Sequence, residues 1–153
     1  MKKLRATTRG ILLLCYLIYH ISWAVIPALF RGKNLKHALM VRQFWVNRSL
    51  RMLGVVVDKH GAPPPGRHIF VGNHRTYLDP IVALMDVRAL PVAKAEVADW
   101  PVIGYGARVT GIMYVKRDSK KSRAAVLAAM RETLKLGYSV LVYPEGTTHV
   151  LPT

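Results

Sequence analysis

The hydrophobic pattern divides the chain into two parts. Residues 11–30 form an almost unbroken apolar run, interrupted only by His20, Ser22 and Pro27. From residue 55 onwards, short apolar runs of the strand type alternate with segments of helical spacing. Alternating strands and helices predict an α/β domain with a partly parallel sheet flanked by helices.

The elements of this second part follow from its periodicity and its turn residues. The predicted strands are residues 55–57, 68–71, 90–94, 112–115 and 139–143, and the predicted helices are residues 80 to about 87, 99–109 and 119–136. Gly137 is predicted to end the last helix, because glycine readily adopts the left-handed conformation of a helix C-terminus. Ligand crevices in such sheets lie outside the carboxyl ends of the strands, so polar residues there are candidates for a site.

The first 53 residues are predicted to form a helical membrane anchor, and residues 54–153 a separate domain. As a helix, residues 11–30 would span about 30 Å, the thickness of a bilayer core. Basic residues flank this run on both sides, whereas a spanning helix usually has its excess on one side. We therefore expect the segment to enter one leaflet and leave on the same side. Residues 34–53 have the basic amphipathic pattern that is typical of interfacial helices.

A cleaved signal peptide is the alternative interpretation of the same apolar run. Residues 22–24 loosely resemble a cleavage site, and Lys2 and Lys3 resemble the basic start of such a peptide. His20 and the positive charge that follows the run count against this interpretation. A mature chain beginning near Val25 would support it.

The charge of the chain indicates an anionic partner. Lysine and arginine number 23 against eight aspartates and glutamates, and residues 1–57 contribute +10 of the net +15, with no acidic residue before Asp58. Such a block favours lipid head groups or nucleic acid. The sequence has no recognised nucleic-acid motif, so a membrane surface is the preferred partner. The single cysteine, Cys15, excludes an intrachain disulfide and a cysteine-based metal site.

His74 and Asp79 carry the clearest chemical signal. They lie between a strand predicted to end at Gly72 and a helix predicted to begin at Asp79-Pro80, where aspartate is a favoured N-cap and proline suits the first helical position. A loop of this length can bring the carboxylate to one imidazole nitrogen and leave the other as a general base. The nucleophile is then predicted to be a hydroxyl of the substrate. An ordinary surface pair and a simple helix cap are the alternatives.

Two further polar junctions follow predicted strands. Arg117, preceded by Lys116, comes after residues 112–115, and Glu145, Gly146 and Thr147 come after residues 139–143. Taken singly, the first could be a solvated basic run and the second an ordinary turn. Together with His74, they predict a single site at one edge of the sheet.

These residues form three ordered motifs that resemble those of the glycerophospholipid acyltransferase family, specifically the 1-acylglycerol-3-phosphate acyltransferases. The motifs are His74 with Asp79 five residues later, residues 111–117 closing on Arg117, and residues 143–147. The resemblance covers roughly residues 35–150. It departs at Thr148, where the family carries an arginine, and at a fourth motif that has no counterpart, which predicts a chain lacking its C-terminal part.

The resemblance implies transfer of a fatty acyl group from acyl-CoA or acyl-carrier protein to the free hydroxyl of a lysophospholipid. The acceptor implied is 1-acylglycerol-3-phosphate, which would give phosphatidate. In this scheme His74 is the base and Asp79 orients it. Arg117 binds the acceptor phosphate, and Glu145, Gly146 and Thr147 complete the pocket.

The same resemblance sets the expected partners. They are a lysophospholipid acceptor, an acyl donor and an anionic membrane surface at the cytoplasmic face of the inner membrane, with no nucleic acid, no metal and no cofactor beyond the donor. The alternatives are acyl transfer to a different lysolipid, a non-catalytic, basic membrane-surface module, and an inactive fragment of the acyltransferase fold.

Overall fold

The computed structural model describes residues 2–31, 34–100 and 103–146. Its helices are α1 (Lys2–Arg31), α2 (Leu35–Leu53), α3 (Asp79–Ala83), α4 (Ile103–Val109) and α5 (Lys120–Lys135), with a 3₁₀ turn at Ala95–Asp99. Its strands are β1 (Ile69–Val71), β2 (Ala89–Lys94), β3 (Met113–Val115) and β4 (Ser139–Val142). The predicted α/β fold with a parallel sheet flanked by helices is confirmed.

The four strands form one sheet in the order β1-β4-β2-β3. Each of the three pairings is parallel, with Val140 opposite both Ile69 and Leu90, and Val92 opposite Met113. Parallel pairing places the carboxyl ends of all four strands at the same edge. The loops that leave β1, β3 and β4 therefore start from that edge.

The strand predicted at residues 55–57 is wrong. The segment follows the left-handed cap of α2 at Gly54, and it pairs with no strand in the described part of the chain. Val55 and Val57 pack against the core, whereas Val56 is 94% exposed. The alternating burial of the three valines thus reflects an extended segment that lies across the surface of the core. Its β propensity does not make it a strand, because it has no pairing partner among the described residues.

Helix α3 is shorter than predicted, and Asp79 does not cap it. The helix ends at Ala83, whereas the sequence predicted an end near residue 87. Leu78 occupies the N-cap position, and no side chain there caps the helix. The predicted N-cap role of Asp79 is therefore wrong, because its carboxylate accepts hydrogen bonds from the preceding loop instead.

The C-terminal end of α5 is as predicted. Gly137 has φ 86°, and its N–H donates to the carbonyl of Leu134 at 3.1 Å, while the N–H of Tyr138 donates to the carbonyl of Thr133 at 3.1 Å. This pair of bonds is the usual way in which a left-handed glycine satisfies the last carbonyls of a helix. The helix predicted at residues 99–109 ends at Val109 as expected, but α4 begins at Ile103, and Asp99 belongs to the 3₁₀ turn that precedes it.

Helix α2 packs into the core. Its residues Val46 and Leu50 join Leu84, Ala89 and Leu141 in the central apolar cluster. The apolar face that was predicted to lie at a lipid interface is thus largely covered by α1, the sheet and α3. An amphipathic pattern indicates that one face is covered, but it does not distinguish protein from lipid as the covering material.

Helix α1 packs against α2 and α4. The ring of His20 lies 5.6 Å from that of Phe44 in α2, and Ile21 lies against Gly106 in α4. Burial lowers the pKa of His20, which is consistent with a neutral imidazole in this aromatic contact. Within the described residues, none of the helices combines enough length with enough apolar character to cross a bilayer.

Candidate active site

The ends of β1 and β4 bring two loops side by side. The N–H of Gly72 donates to the carbonyl of Val142 at 3.2 Å and so extends the pairing beyond the strands. A Cβ atom at Gly72 would lie only 3.0 Å from Cε1 of Tyr143. Glycine at this position therefore lets the Tyr143 ring lie close to the backbone of the first loop.

His74 and Asp79 form the predicted pair. Nδ1 of His74 lies 3.2 Å from Oδ2 of Asp79, and both side chains are partly buried. A carboxylate at Nδ1 favours the tautomer in which that nitrogen carries the proton. Nε2 is then the nitrogen that can accept a proton from a bound molecule.

Asp79 is the centre of the hydrogen bonds that shape this loop. Its carboxylate accepts the backbone N–H groups of Arg75 and Thr76 and, at 2.9 Å, the hydroxyl of Thr76. Burial raises the pKa of Asp79, but the bonds from Thr76, His74 and Arg75 together outweigh that effect and hold the pKa below its usual value. The carboxylate is therefore ionised at neutral pH and able to stabilise a cationic imidazole.

Glu145 holds the backbone of His74. Its Oε2 accepts the backbone N–H of His74 at 2.6 Å, across 71 positions of sequence. The sequence predicted a role for Glu145 in binding substrate, and this contact with the main chain was not predicted. A charged acceptor makes a strong hydrogen bond to an N–H group, so Glu145 fixes the position of the His74 backbone from which the imidazole extends.

Tyr143 belongs to the third motif, but the sequence assigned it no role in the site. Its ring is stacked on that of His74, with centroids 4.6 Å apart and planes inclined at 29°. Burial, with a smaller contribution from the charge of Asp79, raises the pKa of the Tyr143 hydroxyl above its usual value, so the side chain stays neutral. The signal available in the sequence was an aromatic residue directly before Pro144 and Glu145.

Arg117 reaches the same edge from β3. A Cβ atom at Gly146 would lie 2.5 Å from Cζ of Arg117, so the guanidinium rests directly on the glycine, whose φ is 68°. Ser122 accepts the backbone N–H of Lys116 at 2.9 Å, and the guanidinium of Arg123 donates to the carbonyl of Arg117. These bonds fix the loop that presents Arg117.

The structure therefore brings together most of the predicted site residues. His74, Asp79, Glu145, Gly146 and Arg117 gather at one edge of the sheet, linked by the contacts above. The last predicted residue, Thr147, lies outside the described residues. Among the residues that the structure describes, no group of three or more histidine, cysteine or acidic side chains could hold a metal ion.

Comparisons with known proteins identify the family to which the chain is similar. A family model described as acyltransferase matches residues 55–150. A lyso-ornithine lipid O-acyltransferase from Rhodobacter capsulatus is 28% identical over 145 residues, which is 95% of this chain and 52% of that protein. A 1-acyl-sn-glycerol-3-phosphate acyltransferase from Helicobacter pylori is 31% identical over 98 residues, which is 63% of this chain and 41% of that protein.

One solved structure shares the fold. It is the 1-acyl-sn-glycerophosphate (LPA) acyltransferase PlsC from Thermotoga maritima, with a TM-score of 0.73 and 23% sequence identity. The match covers 97% of this chain and 64% of that one. This chain spans about half, or less, of the length of the curated relatives described above.

The substitution Asp79→Asn is expected to lower the free energy of unfolding at pH 7 by about 1–3 kcal/mol, because hydrogen bonds to a charged acceptor are lost or weakened. The folded pKa of Asp79 is depressed, so its contribution is complete above the unfolded pKa and disappears as the pH falls through the folded pKa. The difference between the two proteins should therefore shrink on acidification.

Denaturant unfolding between neutral and acidic pH measures this difference. Asp58→Asn is the matched control, since Asp58 is exposed and paired only with His60 in the described ion pairs. An Asp79→Asn protein as stable as the original at pH 7 would contradict the role given to the carboxylate.

Proposed function

The chain belongs to the acyltransferase family, and we propose that it transfers a fatty acyl group from an acyl thioester to the free hydroxyl of a lysolipid. The observation that carries the proposal is the contact between Nδ1 of His74 and the ionised carboxylate of Asp79. It orients a base at the sheet edge where the other two motifs also converge. The donor is acyl-CoA or acyl-carrier protein, both of which present the acyl group as a thioester.

The reaction begins when the acceptor hydroxyl lies against Nε2 of His74. The imidazole takes the hydroxyl proton as the oxygen attacks the thioester carbonyl, and the charge of Asp79 stabilises the imidazolium that forms. The tetrahedral intermediate then breaks its carbon–sulfur bond, and the departing thiolate takes the proton back from His74. An ester and a free thiol are the products, and the base is regenerated.

The acceptor that we favour is 1-acylglycerol-3-phosphate. A guanidinium is planar and can contact two phosphate oxygens at once, and Arg117 presents one on Gly146 at the same edge as His74. The resemblance of the three motifs supports the same acceptor, and the Helicobacter pylori relative carries that name. The product would be phosphatidate.

Acyl transfer to a lyso-ornithine lipid is the second candidate. The relative from Rhodobacter capsulatus is named for that reaction, and its alignment extends over 95% of this chain. Thr148 also stands where the phosphate-binding pattern would have an arginine. A panel of lysolipid acceptors, with products identified by mass spectrometry, distinguishes the two candidates.

The amino-terminal helix is the proposed membrane contact, at the cytoplasmic face of the inner membrane. Successive residues of a helix are about 100° apart around its axis, and on this basis the exposed apolar residues between positions 11 and 26 cover about half of the circumference of α1. The exposed apolar residues are Ile11, Leu12, Leu14, Ile18, Tyr19, Trp23 and Ile26. Basic residues precede and follow this stretch, which suits a helix lying in an anionic leaflet.

Replacing the base tests the proposal most simply. His74→Ala should lower kcat for acyl transfer by about 10²–10⁴-fold, the usual contribution of a general base. Transfer of a labelled acyl chain to a lysolipid panel measures the loss, while sedimentation with membranes should be unchanged. The control is His60→Ala, since His60 is an exposed histidine away from the described site. Full activity in His74→Ala would refute the assignment.

Arg117→Ala should raise the KM of the acceptor by roughly 10–100-fold, since a charge-assisted contact to phosphate contributes about 1.5–3 kcal/mol. The KM of the donor should change far less. Arg67→Ala is the control, because Arg67 is an exposed arginine just before β1, at the opposite edge. Equal effects on both KM values would count against a phosphate contact.

The stacked ring of Tyr143 should support the base without taking part in proton transfer. Tyr143→Phe keeps the ring and should retain most activity, whereas Tyr143→Leu should lower kcat by roughly tenfold with a smaller change in KM. Steady-state kinetics of both variants measure this split. Loss of activity in the phenylalanine variant would instead give the hydroxyl a direct role.

A further inference from the structure

Two exposed apolar side chains of the loop that carries His74 lie near a third, which follows the 3₁₀ turn. Tyr77 is 75% exposed, Trp100 42% and Leu78 36%, and the rings of Tyr77 and Trp100 lie 6.2 Å apart. We refer to these three residues as the rim patch. Single exposed apolar residues are common, but a cluster of two aromatic residues and a leucine beside a site is typical of an interaction surface.

One residue of the rim patch shares its hydrogen bonds with the catalytic pair. The N–H of Leu78 donates to the hydroxyl oxygen of Thr76 at 3.2 Å, and that hydroxyl donates to Asp79. Trp100 is held at the end of the 3₁₀ turn, where its N–H donates to the carbonyl of Val97. The backbone at Leu78 and at Trp100 is therefore held beside the loop that carries the base.

Helix α4 lies between the rim patch and α1, on the packed side of α1. The N–H of Gly104, near the start of α4, donates to the carbonyl of Trp100 at 2.8 Å. In the same helix, Gly106 lies against Ile21 of α1. The short helix α4 therefore contacts Trp100 of the rim patch at one end and α1 along its length.

The charge at this edge of the sheet is complementary to an anionic surface. Residues 116–123, which leave β3 at the edge that carries the patch, contain five basic residues and one acidic residue. Tyrosine and tryptophan are also the side chains that concentrate where a bilayer meets water, because each has an apolar ring and a polar atom.

We propose that Tyr77, Leu78 and Trp100 enter the head-group region of an anionic bilayer and form a second membrane contact beside α1. The meaning of this contact rests on the proposed acyl transfer, since it would hold His74 at the depth of a lysolipid hydroxyl whose tail stays in the bilayer. One helix lying on a membrane leaves the protein free to roll about the helix axis. A second contact removes that freedom and turns the site towards the lipid.

The test labels the rim patch and does not depend on activity. In the full chain with Cys15→Ser, the variant Tyr77→Cys is labelled with the environment-sensitive fluorophore NBD and mixed with phosphatidylcholine vesicles that contain phosphatidylglycerol. Its emission should shift to the blue and be quenched by lipids that carry a spin label near the head group. Leu136→Cys is the matched control, because Leu136 is 70% exposed at the opposite end of α5.

Each outcome decides the proposal. A solvent-like NBD spectrum at position 77 in protein that sediments with the vesicles would overturn it, as would an equal shift at position 136. A shift that needs palmitoyl-CoA or an acyl-carrier protein, and occurs without vesicles, would identify the donor as the occupant and would also overturn it.

A second measurement uses no label. Replacing Tyr77, Leu78 and Trp100 together by serine should weaken partitioning into the same vesicles by roughly tenfold, because three apolar side chains no longer leave water. Leu136→Ser should leave partitioning unchanged. Since neither measurement involves acyl transfer, a failure of the proposed function would appear in the transfer assay and not here.

Discussion

The chemistry proposed for this protein depends on the parallel pairing of β1 with β4. Because the two strands run in the same direction, the loops that follow them start side by side, and Gly72 continues the pairing into those loops. His74 can then contact Tyr143 and Glu145, although about seventy residues separate them in sequence. A shift of one residue in this register would turn the side chains of one strand to the other face of the sheet, and the site residues would no longer be in contact.

Three different interactions hold His74, two at its imidazole and one at its backbone. The carboxylate of Asp79 bonds Nδ1, the ring of Tyr143 covers one face, and Glu145 accepts the backbone N–H. A base held in this way loses little further freedom when the acceptor hydroxyl arrives, which is how positioning contributes to rate. The protein needs no nucleophile of its own in this scheme, because the lysolipid supplies it. In the proposed reaction the lysolipid comes from a membrane, and the exposed apolar face of α1 is the contact proposed for that membrane.

The sequence predicted that the three motifs meet at one edge of the sheet, but it missed the contacts that His74 makes there with Glu145 and Tyr143. His74 and Asp79 were predictable because they lie five positions apart in one loop, yet helix-capping preference assigned Asp79 the wrong bonds. The contact from Glu145 joins the loops that follow two neighbouring strands, so it could be found only from the pairing of β1 with β4. Propensity also predicted a strand at residues 55–57, where no neighbouring strand exists among the described residues. Likewise, the pattern of α2 fitted lipid as well as the protein core that covers it.

The central claim is that Asp79 holds His74 with Nε2 free to accept a proton. The ¹⁵N chemical shifts of the neutral imidazole, assigned by comparison with His74→Ala, show which ring nitrogen carries the proton. The account predicts a proton on Nδ1 and an unprotonated Nε2, with this preference lost in Asp79→Asn. A neutral ring that carries its proton on Nε2, or one indifferent to the loss of the carboxylate, would contradict it.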